Sequence, residues 1–359
     1  MSGSSLDGLD LAICQFELKK KSREVGCQLL KASTIPYSTA WTQKLNNAPS
    51  LPGHELYLLD FDFGAYAAEI IYSFLATARR DVDLVGWHGH TVYHDPERSS
   101  TLQIGRASAI AGKTGLPVIS EFRTLDLAMG GQGAPLAPIG DQFLLDEARA
   151  YINLGGICNI SVQQEEGKLI SFDVCPCGQI LNLLAQKRGK TFDTGGSIAR
   201  SGQVDEVLLS LLSSLDYYSK DYPKSLDNNW IRRTVWPILE NAESSIEDKL
   251  HTCCQHIVDQ IVYSLDQNSS GGGKVVATGG GAHNTFLVQL LDEKLKELGY
   301  SLTLPESRII DFKEAMFIGL MAFFYSQNLP NVISSATGSR QDHIGGALIQ
   351  GWKKQIHIS

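Results

Sequence analysis

Asp173 lies in Ser171-Phe-Asp-Val-Cys-Pro176, where an apolar stretch gives way to a loop. An acid at a strand end suits a general base; its other reading is a turn or helix-capping aspartate. Three glycine-rich turns carry a second kind of chemistry. They are residues 2–8 (Ser-Gly-Ser-Ser-Leu-Asp-Gly), 153–159 (Asn-Leu-Gly-Gly-Ile-Cys-Asn) and 278–284 (Thr-Gly-Gly-Gly-Ala-His-Asn). Gly3, Gly8, Gly155, Gly156, Gly279, Gly280 and Gly281 let backbone N–H groups approach a phosphate with no Cβ in the way. Asn153 and the hydroxyls of Ser4 and Ser5 add side-chain contacts, or the serines are ordinary exposed loop residues. The third turn runs into a helix, whose N-terminus favours an anion. Asp7 either holds Mg²⁺ through water, since magnesium keeps much of its hydration shell, or is a turn aspartate before Gly8. Any one of these segments is also a plain tight turn; three in order, spread over both halves of the chain, are harder to explain that way. None matches a P-loop, and none gives the glycine fingerprint of a dinucleotide-binding unit.

His88-Gly-His90-Thr91-Val-Tyr-His94 places three histidines within seven residues. Catalytic zinc would need a further ligand set, and no second cluster is visible. Arg123 and Asp126 form an ion pair anchoring their loop, or Arg123 meets a substrate carboxylate. Gln132, in Met129-Gly-Gly-Gln-Gly-Ala-Pro135, lines a pocket or packs a domain joint. Glu314 binds a hydroxyl group or favours a helix N-terminus.

These residues need elements to position them. Leu9–Phe16 and Glu24–Ser33 read as strands, 54–79 as a long helix, and residues 83–87 as a short strand running into the His88 loop. Thr101–Ile104 and Pro117–Glu121 read as strands around a helix over Ala107–Thr114. A second cycle begins at Arg149–Leu154, with a hairpin over Cys158–Val162 and Leu169–Val174. Helices follow at about 177–188, 203–214 and 243–267, then a strand over Lys274–Ala277, a helix from about Asn284 and, after Leu302-Thr-Leu304, a helix over about 312–326. Strand, glycine turn and helix in alternation make an α/β chain, and the repeated order suggests two related halves.

With 359 residues, 43% hydrophobic and 19% charged, the chain has room for two domains. A net charge of −8 argues against nucleic acid as a partner. No apolar run reaches the roughly 18 residues of a membrane span, and no signal-peptide pattern opens the chain. The seven cysteines read as reduced, buried thiols.

Taken in order, Met1-Ser-Gly-Ser-Ser-Leu-Asp-Gly8, His88-Gly-His-Thr-Val92, Thr101-Leu-Gln-Ile-Gly105, Phe122-Arg-Thr-Leu-Asp126, Gly130-Gly-Gln-Gly-Ala-Pro135, Asn153-Leu-Gly-Gly156, Phe172-Asp173 and Glu314-Ala-Met316 resemble the anhydro-N-acetylmuramic acid kinases, nearly end to end. Those belong to the actin/hexokinase/Hsp70 ATPase superfamily. The resemblance implies a two-domain actin-like ATPase (ribonuclease H-like) fold with an interdomain cleft. The domains would be residues 1–148 and 149–359, with the C-terminal segment free to return to the first. It implies ATP and Mg²⁺, the substrate anhydro-N-acetylmuramic acid, a homodimer, and a cytoplasmic place in peptidoglycan recycling. Asp173 would be the base that activates water. His88, His90, Thr91, Arg123, Gln132 and Glu314 would bind the sugar, and the three turns the nucleotide. The alternatives are another sugar or carboxylate kinase of the superfamily, or a degenerate nucleotide-binding paralogue. The chain departs from the family pattern after Asp173, with Val174, Cys175, Cys177 and Gly178, and at His90, where glutamine is usual. A strand precedes the first turn in the family; here Met1 already stands at the turn, so the expectation is a mis-assigned or truncated start.

Overall fold

The computed structural model describes all residues except 4–5, 20–23, 79–80, 146, 165–168, 223, 227, 270 and 357–359. It divides into two units: Met1–Leu144 with Phe312–Ser359, and Leu145–Asp311. The sequence reading drew the second domain as 149–359 with the C-terminal segment free to return to the first; the last 48 residues do belong to the first unit, beginning inside the helix Ser307–Ser326.

The first unit opens with a long hairpin of β1 (Gly8–Lys19) and β2 (Glu24–Pro36). Ser2 bridges to Leu9 in antiparallel fashion and to His90 in parallel fashion. The helix Gly53–Ala78 buries Phe63, Ala67, Ile71 and Phe74, which share one face at helical spacing. Next come β3 (Val85–Gly86), β4 (His90–Asp95), β5 (Ser100–Ile104) and β6 (Val118–Ser120). β4 and β5 form a hairpin, so the histidine segment expected as a loop is strand from His90 onward. The helix Ala107–Thr114 ends at Gly115 in the left-handed region, the usual glycine stop. The short helices Thr39–Asn47 and Ala137–Leu144, absent from the sequence reading, complete this stretch.

The second unit holds β7 (Ala150–Leu154), β8 (Ile157–Gln163), β9 (Leu169–Pro176), β10 (Gly273–Thr278) and β11 (Tyr300–Thr303). They form one sheet in the order β11-β10-β7-β8-β9, parallel across the first three and antiparallel through β8. Counted within the unit, that is 3-2-1 of a meander followed by the fourth and fifth strands, the arrangement of a ribonuclease H-like sheet. Ala150, Ile152, Leu154, Val275 and Ala277 are buried on one face and Tyr151 and Val276 on the other, as strands covered on both faces require. The helix Ile246–Asn268 is capped by Ser245, whose hydroxyl accepts from Asp248 N–H, and packs its apolar side on that core. The chain then returns to add β12 (Ala347–Ile349) antiparallel to β6, giving a three-stranded sheet β12-β6-β3 in the first unit.

Candidate active site

β7 and β10 run parallel, with Asn153 in register with Thr278. Their C-terminal ends therefore deliver two glycine turns to the same edge of the sheet. A Cβ on Gly279 would come within 2.7 Å of the Leu154 carbonyl carbon, and one on Gly281 within 2.9 Å of the Leu154 carbonyl oxygen. The turns thus touch through backbone, and only glycine allows it. Gly280 differs: a Cβ there meets nothing within 4 Å. The Gly155 and Gly156 carbonyls accept from Gly178 and Cys177, each at 2.9 Å, which ties this turn to the start of the helix Gly178–Gln186. Asn284 caps the helix Thr285–Glu297, its side chain accepting from Leu287 N–H at 3.1 Å. The N-terminal end of that helix supplies positive potential beside the turn.

A fourth segment joins them, one to which the sequence reading assigned no role. Asp193 accepts from Ile198 and Ala199 N–H, both at 2.9 Å, and fixes the Thr194–Gly196 turn. Gly195 C=O accepts from Thr285 Oγ1 at 2.8 Å, and a Cβ on Gly196 would overlap Asn284 Oδ1. The visible signal was Thr-Gly-Gly itself, two adjacent glycines in the left-handed region.

Asp173 sits on β9 opposite Asn159, part-buried. Its Oδ2 accepts from Leu226 N–H at 2.8 Å, its carbonyl accepts from Tyr217 OH at 2.6 Å, and its N–H donates to Lys224 C=O. Burial raises its pKa, opposed in part by the Leu226 hydrogen bond. One carboxylate oxygen is anchored in a low-dielectric setting, which suits a proton acceptor working near neutrality. The departures after Asp173 have a structural cause. Cys175 and Cys177 are fully buried with Cys158, Cys253 and Cys254, and burial pushes their thiols up. They are core packing, not loop ligands.

The remaining candidates lie in the first unit. His88 is 5% exposed. Its Nδ1 lies 3.3 Å from Gly89 C=O, and its Nε2 accepts from Arg123 Nε at 3.0 Å. That pairing assigns the Nδ1–H tautomer. Burial, then the Arg123 charge, lowers its pKa to about 3, so it stays neutral and acts as an acceptor. Arg123 Nη1 donates to Gly133 C=O at 2.6 Å. Burial lowers Arg123 to about 10, with Glu314 and Asp126 opposing. The expected Arg123–Asp126 ion pair is replaced by separate partners: Asp126 takes Gly133 N–H and Thr337 Oγ1. Glu314 lies in the middle of the helix Ser307–Ser326, not at its start, so the helix-terminus reading is overturned. Burial raises its pKa, and Lys313 and Arg123 oppose that shift. The structure places Arg123 and Glu314 within mutual electrostatic reach.

His90 turns away from these groups; its Nδ1 meets Ser2 Oγ at 3.0 Å, and Tyr37 OH donates to the same hydroxyl. Thr91 Oγ1 accepts from Gln103 Nε2 at 3.3 Å, and His94 Nδ1 meets Thr101 Oγ1. The three histidines thus have three different partners, and among the described residues no group of three metal-ligating side chains stands together. Gln132 is exposed, with its N–H held by Thr337 C=O at 2.8 Å. In the first turn Asp7 is exposed, its carbonyl accepts from Tyr37 N–H, and a Cβ on Gly8 would meet Ile35 C=O at 2.6 Å. Gly3 is half-buried, its carbonyl accepting from Leu6 N–H; Ser4 and Ser5 lie outside the described residues. A cavity of about 900 Å³ in the first unit, lined by Cys14, Leu84, Trp87 and Ile318 among others, includes none of the candidate site residues.

A family model described as anhydro-N-acetylmuramic acid kinase matches residues 1–351. The anhydro-N-acetylmuramic acid kinase of Bacillus thuringiensis subsp. konkukian is 31% identical, over 96% of this chain and 97% of that protein. That of Aliivibrio fischeri is 31% identical over 94% and 95%. Among solved structures, the activator of the 2-hydroxyisocaproyl-CoA dehydratase from Clostridium difficile with bound ADPNP aligns at 18% identity over 62% of this chain and 84% of that one. Its TM-score of 0.35 adds nothing to the topology described above. A match over nearly the whole chain, with relatives similar across almost their full length, settles the lineage: the chain belongs to the anhydro-N-acetylmuramic acid kinase family.

Proposed function

We propose that the protein uses ATP and water to convert 1,6-anhydro-N-acetylmuramic acid into N-acetylmuramic acid 6-phosphate. The observation that carries the reading for this chain is Asp173: a part-buried acid with a raised pKa, one oxygen held by Leu226 N–H. Asp173 takes a proton from water as the water oxygen bonds to C1. The C1–O6 bond breaks, and O6 receives the γ-phosphoryl group. Such a transfer depends on positioning and charge neutralisation more than on covalent chemistry. The glycine turns of the second unit suit the nucleotide, since Gly280 presents backbone to open space and a helix N-terminus stands beside it. Arg123 suits a carboxylate on the sugar, and Glu314 a hydroxyl group.

Magnesium would neutralise phosphate charge. Such an ion would ride on the nucleotide and keep most of its waters, and Asp7 is the candidate to meet one of them. A cytoplasmic homodimer belongs to the same reading, to be checked by light scattering on the purified protein. The reaction itself is tested with the anhydro sugar, ATP and Mg²⁺ in ¹⁸O-water. Ring opening places the label on C1 of a 6-phosphorylated product; a labelled-free product, or phosphorylation of a sugar hydroxyl with the anhydro bridge intact, overturns the proposal.

A further inference from the structure

Gly133 is gripped at both backbone groups. Its N–H donates to Asp126 Oδ2 at 2.6 Å, and its C=O accepts from Arg123 Nη1 at 2.6 Å. The other oxygen of Asp126 accepts from Thr337 Oγ1 at 2.6 Å, and Thr337 C=O takes Gln132 N–H at 2.8 Å. Gly131 N–H donates to the Asp126 carbonyl at 2.9 Å, and a Cβ on Gly131 would overlap the Asp126 carboxylate. Asp126 is 0% exposed. A buried carboxylate is costly unless strongly compensated, and here two short hydrogen bonds and the nearby Arg123 charge compensate it. An ordinary turn needs no buried charge to hold it. The side chain of Gln132 stays exposed while its backbone is fixed from the C-terminal segment, which sequence order places two hundred residues away.

We infer that Asp126 and Thr337 are positioning residues: together they clamp the Gly130–Pro135 turn and, through Gly133 C=O, aim the Arg123 guanidinium at the carboxylate of the sugar. The inference rests on the proposed reaction for its substrate and on the hydrogen bonds alone for the clamp. Neither residue touches substrate. The clamp sets recognition of the sugar and leaves nucleotide binding unaffected.

The test uses the full chain with Thr337→Val, which removes the hydroxyl at nearly constant volume, Thr337→Ser, which keeps it, and Asp126→Asn. Hydrogen exchange of the ligand-free protein reports the clamp; steady-state kinetics report recognition. Thr337→Val should speed exchange of the Gln132 and Gly133 amides and raise KM for the anhydro sugar about tenfold, the worth of a hydrogen bond to a charged group. KM for ATP should stay unchanged, and Thr337→Ser should restore both readouts. Faster exchange with unchanged sugar KM, or a rise in both KM values together, overturns the inference. Should the wild-type protein leave the sugar untouched, the proposed reaction fails separately; unchanged Gln132 and Gly133 exchange in Thr337→Val then overturns the clamp as well. Should Asp126→Asn not fold, the two threonine variants decide.

Discussion

At the scale of single residues, electrostatics sets two expectations. Asp173→Asn keeps the shape and removes the base, so turnover should fall by about 10²–10⁴ while ATP affinity holds. Because burial raises the Asp173 pKa in the folded state, ionisation costs folding free energy, and stability drops as pH rises through that raised value. Asp173→Asn should therefore melt higher than wild type at neutral pH, and the acid limb of wild-type kcat/KM should lie above the ordinary carboxylate range. A variant with lower melting temperature and near-normal turnover would contradict both. His88 behaves in the opposite sense. Its pKa falls from 6.5 to about 3 on folding, so the unfolded chain binds the extra proton between those values. Stability contributed by neutral His88 is complete above pH 6.5 and is lost progressively toward pH 3. His88→Gln retains an acceptor for Arg123 and does not titrate. Urea titrations at pH 7 and pH 4.5 should show a smaller loss for the variant than for wild type.

At the scale of elements, the glycine turns separate packing from function. Gly196 has φ +71° and no space for a Cβ beside Asn284. Gly196→Ala should cost about 1–3 kcal/mol, strain at a left-handed position plus a disturbed helix cap, and raise KM for ATP as the Asn284 turn shifts. Gly280→Ala meets no neighbour; it should leave the melting temperature unchanged and still raise KM for ATP, because the methyl group occupies the space assigned to phosphate. Equal melting temperatures for the two variants would refute this assignment of the turn. The ion pair between Lys313 on the long helix Ser307–Ser326 and Asp141 on Ala137–Leu144, 3.0 Å and about 5% exposed on each side, makes a further case. Lys313→Met alone should destabilise by about 3–5 kcal/mol by removing one charge of a buried pair, and adding Asp141→Leu should recover much of that loss. Denaturant midpoints of the single and double variants measure it.

At the scale of the molecule, each unit has a core of its own: one built on the five-stranded sheet and the helix Ile246–Asn268, the other on the helix Gly53–Ala78 and the helix Ser307–Ser326. Calorimetric unfolding should depart from two-state behaviour. If the glycine turns of the second unit hold the nucleotide as proposed, ATP with Mg²⁺ at a hundred times its Kd should add about 2.7 kcal/mol to the stability of that unit; a scan unchanged by ATP would count against the glycine turns as its site.

Local pattern decided much before any fold was known. Strand alternation and glycine punctuation are read within a few residues of where they act, and the hairpin β8–β9 and the helix Ala107–Thr114 stand where those signals place them. The turns at Gly155 and Gly279 are legible for the same reason, since their glycines follow directly on a strand; Asp173, read as closing its strand, instead lies inside β9, which runs on to Pro176. Long-range pairing is not written that way. That β12 returns to β6, that His88 holds Arg123 while His90 turns to Ser2, that Glu314 lies mid-helix, and that the hydrogen bonds of Asp126 go to Gly133 and Thr337, all depend on which groups meet after the chain has folded. A buried polar group takes whichever partner packing brings within hydrogen-bond distance, and only the tertiary structure decides that.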